Sequence, residues 1–250
     1  MSYDIAGFIS RQGNFDNFKI KSPVHITVIP LRQGFDMMLN NVNLEHALGI
    51  TADNRTQASN EFLHLDQVMA AFAERLSNDN TVAYVEAQYF GGTGSQSAIV
   101  WQEGMMIFAH PDNGAVARVP GRLGPINSAL RLLDARAEPG KDEFEVLGLS
   151  AFRHNNEWLM VDIARAKRRG EKLFRIDFSE MEWFDADFMG AYFIEPNFCG
   201  ALLLNVNFRN AILEDATFDE HTTLPDGSNW TPDTDIKRFT DPDHPFFWEP

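Results

Sequence analysis

Large apolar residues recur at every fifth position in the C-terminal part of the chain. A second, mostly small apolar residue stands two positions before each of them, from Ile176 to Ala216. Neither the 3.6-residue period of a helix nor the two-residue period of a strand produces this spacing. A fixed repeat of this kind predicts stacked units, each too small to bury its own side chains. The large residues are Phe178, Trp183, Phe188, Phe193, Phe198, Leu203, Phe208, Leu213 and Phe218.

Individual units of this segment carry a family resemblance. Ala186-Asp187-Phe188-Met189-Gly190 and Ala216-Thr217-Phe218-Asp219-Glu220 read as a small residue, a polar one, Phe, then two residues that are mostly small or polar. In this respect residues 172–227 resemble pentapeptide-repeat proteins. The resemblance implies a right-handed quadrilateral β-helix with four pentapeptides per coil and about two coils, which we place at residues 171–227. Central and small residues would point inward.

Residues 1–154 show the periodicities of an α+β domain with an antiparallel sheet. Alternating or β-branched runs predict strands, and apolar residues three and four positions apart predict helices. The last three strands are close enough to form an antiparallel meander. Asp142 is a candidate cap for the final helix. The predicted strands are Val24–Ile29, Thr81–Phe90, Ser97–Trp101 and Met105–Ala109, and the predicted helices are Asn41–Leu48, Leu65–Leu76, Pro125–Asp134 and Asp142–Leu147.

A helix is predicted between the two parts, over residues 155–170. Asn156 can cap it, an apolar stripe runs along it from Leu159 to Ala166, and Gly170 suits its C-terminal end. Because an open coil exposes unpaired strand edges and apolar side chains, we expect this helix to cover the first coil. Residues 228–250 form a tail that should pack on the repeat. Its aromatic anchors are Trp230, Phe246, Phe247 and Trp248.

Composition narrows the range of partners. The net charge is −15, and residues 176–250 hold 16 acidic and three basic side chains. This balance argues against nucleic acid or an anionic membrane as the partner. The sequence has one cysteine, no long apolar stretch and no signal-peptide pattern, so we expect a protein of the bacterial cytoplasm.

No residue pattern predicts catalytic, cofactor-binding or metal-binding residues. The histidines lack partners at metal spacing, and Cys199 has no basic neighbour in the sequence. The run from Gly91 to Gln96 is rich in glycine, but phosphate loops lead into a helix and carry a Lys, whereas a strand follows here. We therefore interpret Gly92 and Gly94 as a hairpin connection that could contact a protein.

Some outward positions of the repeat are unexpectedly apolar. If four units form a coil, residues twenty apart stack on one face. Phe184, Leu202 and Leu204 then share one face, and Tyr192, Ile194 and Ile212 share another. Apolar surfaces of this kind call for a partner. The chain itself can cover one of them, and a second copy or a foreign protein can cover the other.

These observations favour a non-enzymatic protein-interaction protein, such as an immunity or inhibitor protein that masks a partner. Two alternatives stay open. An acidic repeat could mimic DNA and bind a type II topoisomerase, although about 2.25 coils at about 4.8 Å spacing make a prism only about 11 Å tall. A small-molecule enzyme is the other alternative, because distant residues can meet in the fold and form a site that sequence spacing does not show.

Overall fold

A computed structural model describes residues 2–58, 62–90, 93–110 and 124–250. The chain divides into two compact units, one formed by Met1–Ser22 and Ile26–Trp158, the other by Pro23–His25 and Leu159–Pro250. Within the described ranges, no helix has the length and apolar character needed to cross a bilayer.

The N-terminal unit is built on a six-stranded antiparallel sheet with the strand order β2-β3-β1-β4-β5-β6. Its antiparallel character and the meander of the last three strands were predicted. The strands are β1 (Ser2–Arg11), β2 (Val28–Pro30), β3 (Phe35–Leu39), β4 (Val82–Phe90), β5 (Thr93–Gln102) and β6 (Met105–His110). The helices that accompany them are α1 (Asp16–Lys21), α2 (Val42–Ala47), α3 (Gln67–Leu76), α4 (Pro125–Leu132) and α5 (Glu143–Leu147).

The sequence patterns did not predict β1 or β3, which occupy the sheet interior. Both faces of β1 are buried from Ile5 to Ser10, so its side chains do not alternate in polarity. Gly7 lets β1 approach β3, because a Cβ at this position would lie 2.7 Å from Met37 Cε and 2.8 Å from the Met38 carbonyl oxygen. Pro30 was expected to end the strand before it but belongs to β2, where an edge strand tolerates it.

Of the three predicted caps, Asp142 and Gly170 lie at the expected helix ends and Asn156 does not, and Asn41 and Asp66 are caps that the sequence analysis did not name. Asn41 and Asp66 accept backbone N–H groups at the starts of α2 and α3, and Asp142 forms a capping box with Glu145. Helix α6 (Asn155–Arg169) ends before Gly170, whose φ is +64°. The predicted cap Asn156 is wrong, since this residue is the second of the helix rather than the one preceding it.

The C-terminal unit contains a parallel arrangement in which paired residues are twenty positions apart. Strands β7 (Leu173–Phe174), β8 (Tyr192–Ile194) and β9 (Ile212–Glu214) form a parallel sheet. Isolated parallel bridges with the same spacing join Asp177 to Asn197 and Asp187 to Asn207. The five-residue sequence period thus becomes a twenty-residue structural period, with four units between paired strands.

The large residues of the repeat point inward, as predicted. Phe178, Phe198 and Phe218 stack at centroid distances of 4.9 and 5.2 Å, with interplanar angles of 6° and 14°. Phe188 and Phe193 are also fully buried. An aromatic column therefore runs through the core, and each ring rests on the one twenty residues away.

Both ends of this core meet other segments of the C-terminal unit. On α6, Leu159, Ile163 and Ala166 are buried, and Lys167 Nζ lies 3.3 Å from Asp187 Oδ2. On the tail, Trp230 stacks on Phe218 at 6.2 Å. A short helix, α7 (Lys237–Thr240), contains the buried Phe239. Trp230 of the tail thus packs on the last ring of the column, and α6 contacts the repeat through Lys167 and Asp187.

Candidate interaction surface

Strands β7, β8 and β9 carry an outward row of apolar side chains: Phe174, Tyr192, Ile194 and Ile212. We call this row the β7–β9 face. Phe174 pairs with Ile194, and Tyr192 pairs with Ile212, so the four side chains lie in two adjacent columns. Phe174 is 53% exposed and Ile212 is 48% exposed, while the other two are half-buried. Exposed apolar side chains on paired strands form a continuous surface.

Charged groups fix the orientation of the tyrosine on this face. Lys172 Nζ lies 4.3 Å from the centroid of the Tyr192 ring, a cation–π distance, and 3.2 Å from its hydroxyl. The Tyr192 hydroxyl donates a hydrogen bond to Glu214 Oε2 at 2.9 Å. Nearby, Arg175 Nε donates to Glu195 Oε2 at 2.8 Å. The charges beside the face are therefore paired, and its centre stays apolar.

The second predicted apolar row, Phe184, Leu202 and Leu204, is partly covered by the chain. Leu202 pairs with Thr223, and the Asn205 N–H donates to the Pro225 carbonyl at 3.0 Å. A Cβ on Gly227 would lie only 3.6 Å from Leu204 Cδ2. Residues 223–227 thus pack beside Leu202 and Leu204, and both leucines are half-buried. Phe184 remains 56% exposed.

Of the four aromatic anchors predicted for the tail, one packs on the repeat core and one is largely exposed to solvent. Trp230 stacks at the end of the core, and Phe246 is 77% exposed. The tail is held by polar contacts: the Asn210 N–H donates to the Thr240 carbonyl at 2.7 Å, and Arg238 pairs with Asp226 at 2.7 Å. Trp230 thus covers the last ring of the aromatic column.

The predicted glycine site is only in part within the described residues. Gly92 lies outside them. Gly94 was expected in the hairpin connection, but it is an exposed residue of β5 that pairs with Tyr89 of β4. Gly94 is therefore a strand residue, because the pairing of β4 with β5 continues beyond it to Phe90 and Thr93.

Cys199 and the possible metal ligands are candidate reactive groups. Burial, together with the nearby Asp219 carboxylate, raises the pKa of the Cys199 thiol, which disfavours the nucleophilic thiolate. Among the described residues, no group of three His, Cys, Asp or Glu side chains is arranged to hold a metal ion.

Phe174 was missed because it precedes the first complete match to the five-residue pattern. Its signal was the spacing of twenty from Ile194, which places both residues on one face. Met189 is a further exposed apolar residue, 44% exposed, next to the polar row of Asp187 and Asn207. It provides a useful comparison because it lies outside both apolar rows.

The comparisons with known proteins agree with the repeat geometry. The family model for pentapeptide repeats (8 copies) matches residues 186–220, in the C-terminal part of the chain. The N-terminal part has no family match. Searches among curated proteins and among solved structures found no match. Residues 186–220 are therefore pentapeptide repeats, and proteins with such repeats are often protein-interaction proteins.

Proposed function

We propose that this chain is a non-enzymatic protein-interaction protein whose pentapeptide repeat binds a partner protein through the β7–β9 face. The observation that carries the proposal is the exposure of Phe174 and Ile212 on adjacent, paired strands. The repeat forms a right-handed quadrilateral β-helix of about two coils, in which the aromatic column makes the outer face rigid. A rigid apolar surface loses little conformational freedom on binding.

The charge of the C-terminal part indicates the charge that a complementary partner surface would carry. Acidic side chains outnumber basic ones by 16 to three over residues 176–250. A second copy would bring two such acidic surfaces together, whereas a foreign protein with an apolar centre and a basic rim would complement them. A masking protein of the immunity or inhibitor type, acting on a basic partner in the cytoplasm, fits this description.

The test is affinity capture with matched variants. We expect the unmodified chain and Met189→Glu to capture the same protein in stoichiometric amounts, because Met189 lies outside the face. Ile212→Glu should lose that protein while keeping its circular dichroism spectrum, since a buried charge at an interface centre is strongly unfavourable. The captured protein should be basic, and it should dissociate more readily at high salt.

Two outcomes would contradict the proposal. Equal capture by Ile212→Glu and the unmodified chain would exclude the β7–β9 face as the binding surface. Analytical ultracentrifugation that shows a dimer for the unmodified chain and a monomer for Ile212→Glu would replace the foreign partner with a second copy.

A further inference from the structure

A polar cleft opens in the N-terminal unit where β1 extends beyond its pairing with β3. The pairing begins at Gly7 and Leu39, so the first residues of β1 have a free edge on this side. Residues 153–155 meet that edge: the Asp4 N–H donates to the Arg153 carbonyl at 2.6 Å, and the Asn155 side chain binds both backbone groups of Ala6. The cleft has a volume of about 310 Å³. Its polar lining residues are Asp4, Asn40, His64, His154, Asn155 and Asn156.

A buried hydrogen-bond network holds His64 in position. The backbone N–H groups of Leu63 and His64 donate to the carboxylate of Glu86 at 2.8 and 3.1 Å, and Glu86 is almost fully buried. The Asn40 amide donates to the His64 carbonyl at 2.7 Å and to the Tyr84 hydroxyl at 3.1 Å. The Tyr84 hydroxyl donates in turn to Glu86 at 3.1 Å, and burial raises the pKa of Tyr84, so it stays a donor.

Opposite charges stand side by side at the mouth of the cleft. His64 Nε2 lies 3.5 Å from Asp4 Oδ1. Each side chain is 42% exposed, so both remain accessible to a ligand. The hydrogen bond to Asp4 raises the pKa of His64, and the charges of Asp4, Glu86 and Glu45 add to this effect. The same contact, with a contribution from His154, lowers the pKa of Asp4. The cleft therefore offers an imidazole, whose protonated form the Asp4 carboxylate favours, and a carboxylate to one ligand.

A hydrogen-bonding group is also available in the first turn of α6. The Asn155 amide is fully used, since it donates to the carbonyls of Ala6 and Asn40 and accepts from the Ala6 N–H. The neighbouring Asn156 side chain lines the cleft and has no hydrogen-bond partner among the residues that the structure describes. Its amide can therefore bind a ligand without breaking an existing bond.

We propose that this cleft binds a small α-amino acid, with the ligand carboxylate on His64 and Asn156 and the ammonium group on Asp4. The two charged groups of an α-amino acid are separated by one carbon atom, which suits an imidazole and a carboxylate held 3.5 Å apart. The volume is at the lower end of the usual range for ligand sites, and the lining contains no Phe, Tyr, Trp or large aliphatic side chain, so the ligand is small and polar. This site is independent of the β7–β9 face.

The experiment compares L-alanine, L-lactate and propionate, which share one carbon skeleton and differ only in the α-substituent. Each is titrated into the full-length chain while the His64 imidazole and Asn156 amide resonances are followed by NMR. We expect saturable shifts with L-alanine and an affinity about tenfold lower for propionate, because one charge-assisted hydrogen bond to Asp4 is lost. L-Lactate should lie between them. Asp4→Asn should remove the difference between L-alanine and L-lactate.

Two histidine variants control for the position of the site. His64→Gln should lower the affinity for L-alanine about tenfold, whereas His221→Gln, at a 77% exposed side chain of the C-terminal unit, should leave it unchanged. If His64→Gln fails to fold by circular dichroism, Asn156→Ala carries the same test, since that side chain has no hydrogen bond to lose among the described residues. Equal affinity for all three compounds, or no saturable shift with any of them, would overturn the proposal.

Discussion

At the scale of single residues, the repeat depends on a backbone feature that hydrophobic patterning does not show. Every fifth residue from 175 to 215 has a positive φ, between 49° and 68°. Only glycine adopts this conformation freely, and asparagine and aspartate tolerate it better than other residues. Six of the nine positions carry Gly, Asn or Asp, which explains residue choices that appear arbitrary in the sequence. They are Asp185, Gly190, Gly200, Asn205, Asn210 and Asp215, with Arg175, Glu180 and Glu195 as the remaining members.

Gly190 isolates the energetic effect of this backbone conformation. Its φ is +68°, and a Cβ added there would meet nothing within 4 Å, so a substitution has no steric cost beyond the backbone itself. Gly190→Ala should lower the free energy of unfolding by about 1 kcal/mol. Gly190→Asn should lower it less. Urea unfolding of the three proteins measures the difference, and equal losses for Ala and Asn would show that the left-handed conformation is not the cause.

The Asp4–His64 pair makes stability depend on pH in a defined direction. The raised pKa of His64 means that its contribution is fully present below the ordinary histidine pKa of 6.5 and is lost as pH rises through the folded-state value. The lowered pKa of Asp4 means that its contribution is present above 3.8 and is lost as pH falls. His64→Gln should therefore destabilise the protein more at about pH 5.5 than at about pH 8.5. Unfolding curves at both pH values check this, and a larger loss at the higher pH would contradict it.

At the scale of elements, the sequence predicted those elements whose apolar residues recur at a regular spacing. The repeat core was predicted to the residue because each unit contributes the same inward positions, from Phe178 to Phe218. The meander of β4, β5 and β6 was predicted because Thr81–Phe90 alternates in polarity. Strand β1 was not, since a strand buried on both faces has no alternation to detect. The polar cleft was equally invisible, because Asp4, His64 and Asn156 are brought together only by the end of the β1–β3 pairing.

The aromatic column allows inward and outward positions of the repeat to be compared directly. Phe198 is fully buried and stacks between Phe178 and Phe218, so Phe198→Ala should cost about 3–5 kcal/mol of unfolding free energy. Phe184 is 56% exposed, and Phe184→Ser should cost much less. Thermal and chemical denaturation of both variants measure these losses. Losses of the same size would refute the assignment of Phe184 to the outside.

At the scale of the whole molecule, the chain separates its surfaces by chemistry. The N-terminal unit holds the polar cleft, where the His64 imidazole lies beside the Asp4 carboxylate and buried hydrogen bonds hold the His64 backbone in place. The C-terminal unit holds the β7–β9 face, where charges are paired at the edges and apolar side chains occupy the centre. Its covering segments, α6 and the tail, leave that face exposed. The two candidate binding surfaces thus differ in chemistry, one polar and one apolar.

The tail shows how the C-terminal unit avoids a second exposed apolar surface. Phe218 is the last ring of the column, and Trp230 covers it at a centroid distance of 6.2 Å. The backbone N–H of Trp230 donates to the Thr222 carbonyl at 2.9 Å. Trp230→Ala should therefore remove about 2 kcal/mol of stability, less than a fully buried aromatic residue would, because Trp230 is half-buried. It should also expose Phe218 and promote aggregation, since an uncovered solenoid end presents apolar side chains.

Phe246→Ala is the matched control: that ring is 77% exposed, and its removal should change stability by less than about 0.5 kcal/mol. Calorimetry and light scattering on both variants test the comparison. If the two variants melt and scatter alike, Trp230 does not close the repeat, and the tail must be held by its polar contacts at Asn210 and Asp226 alone.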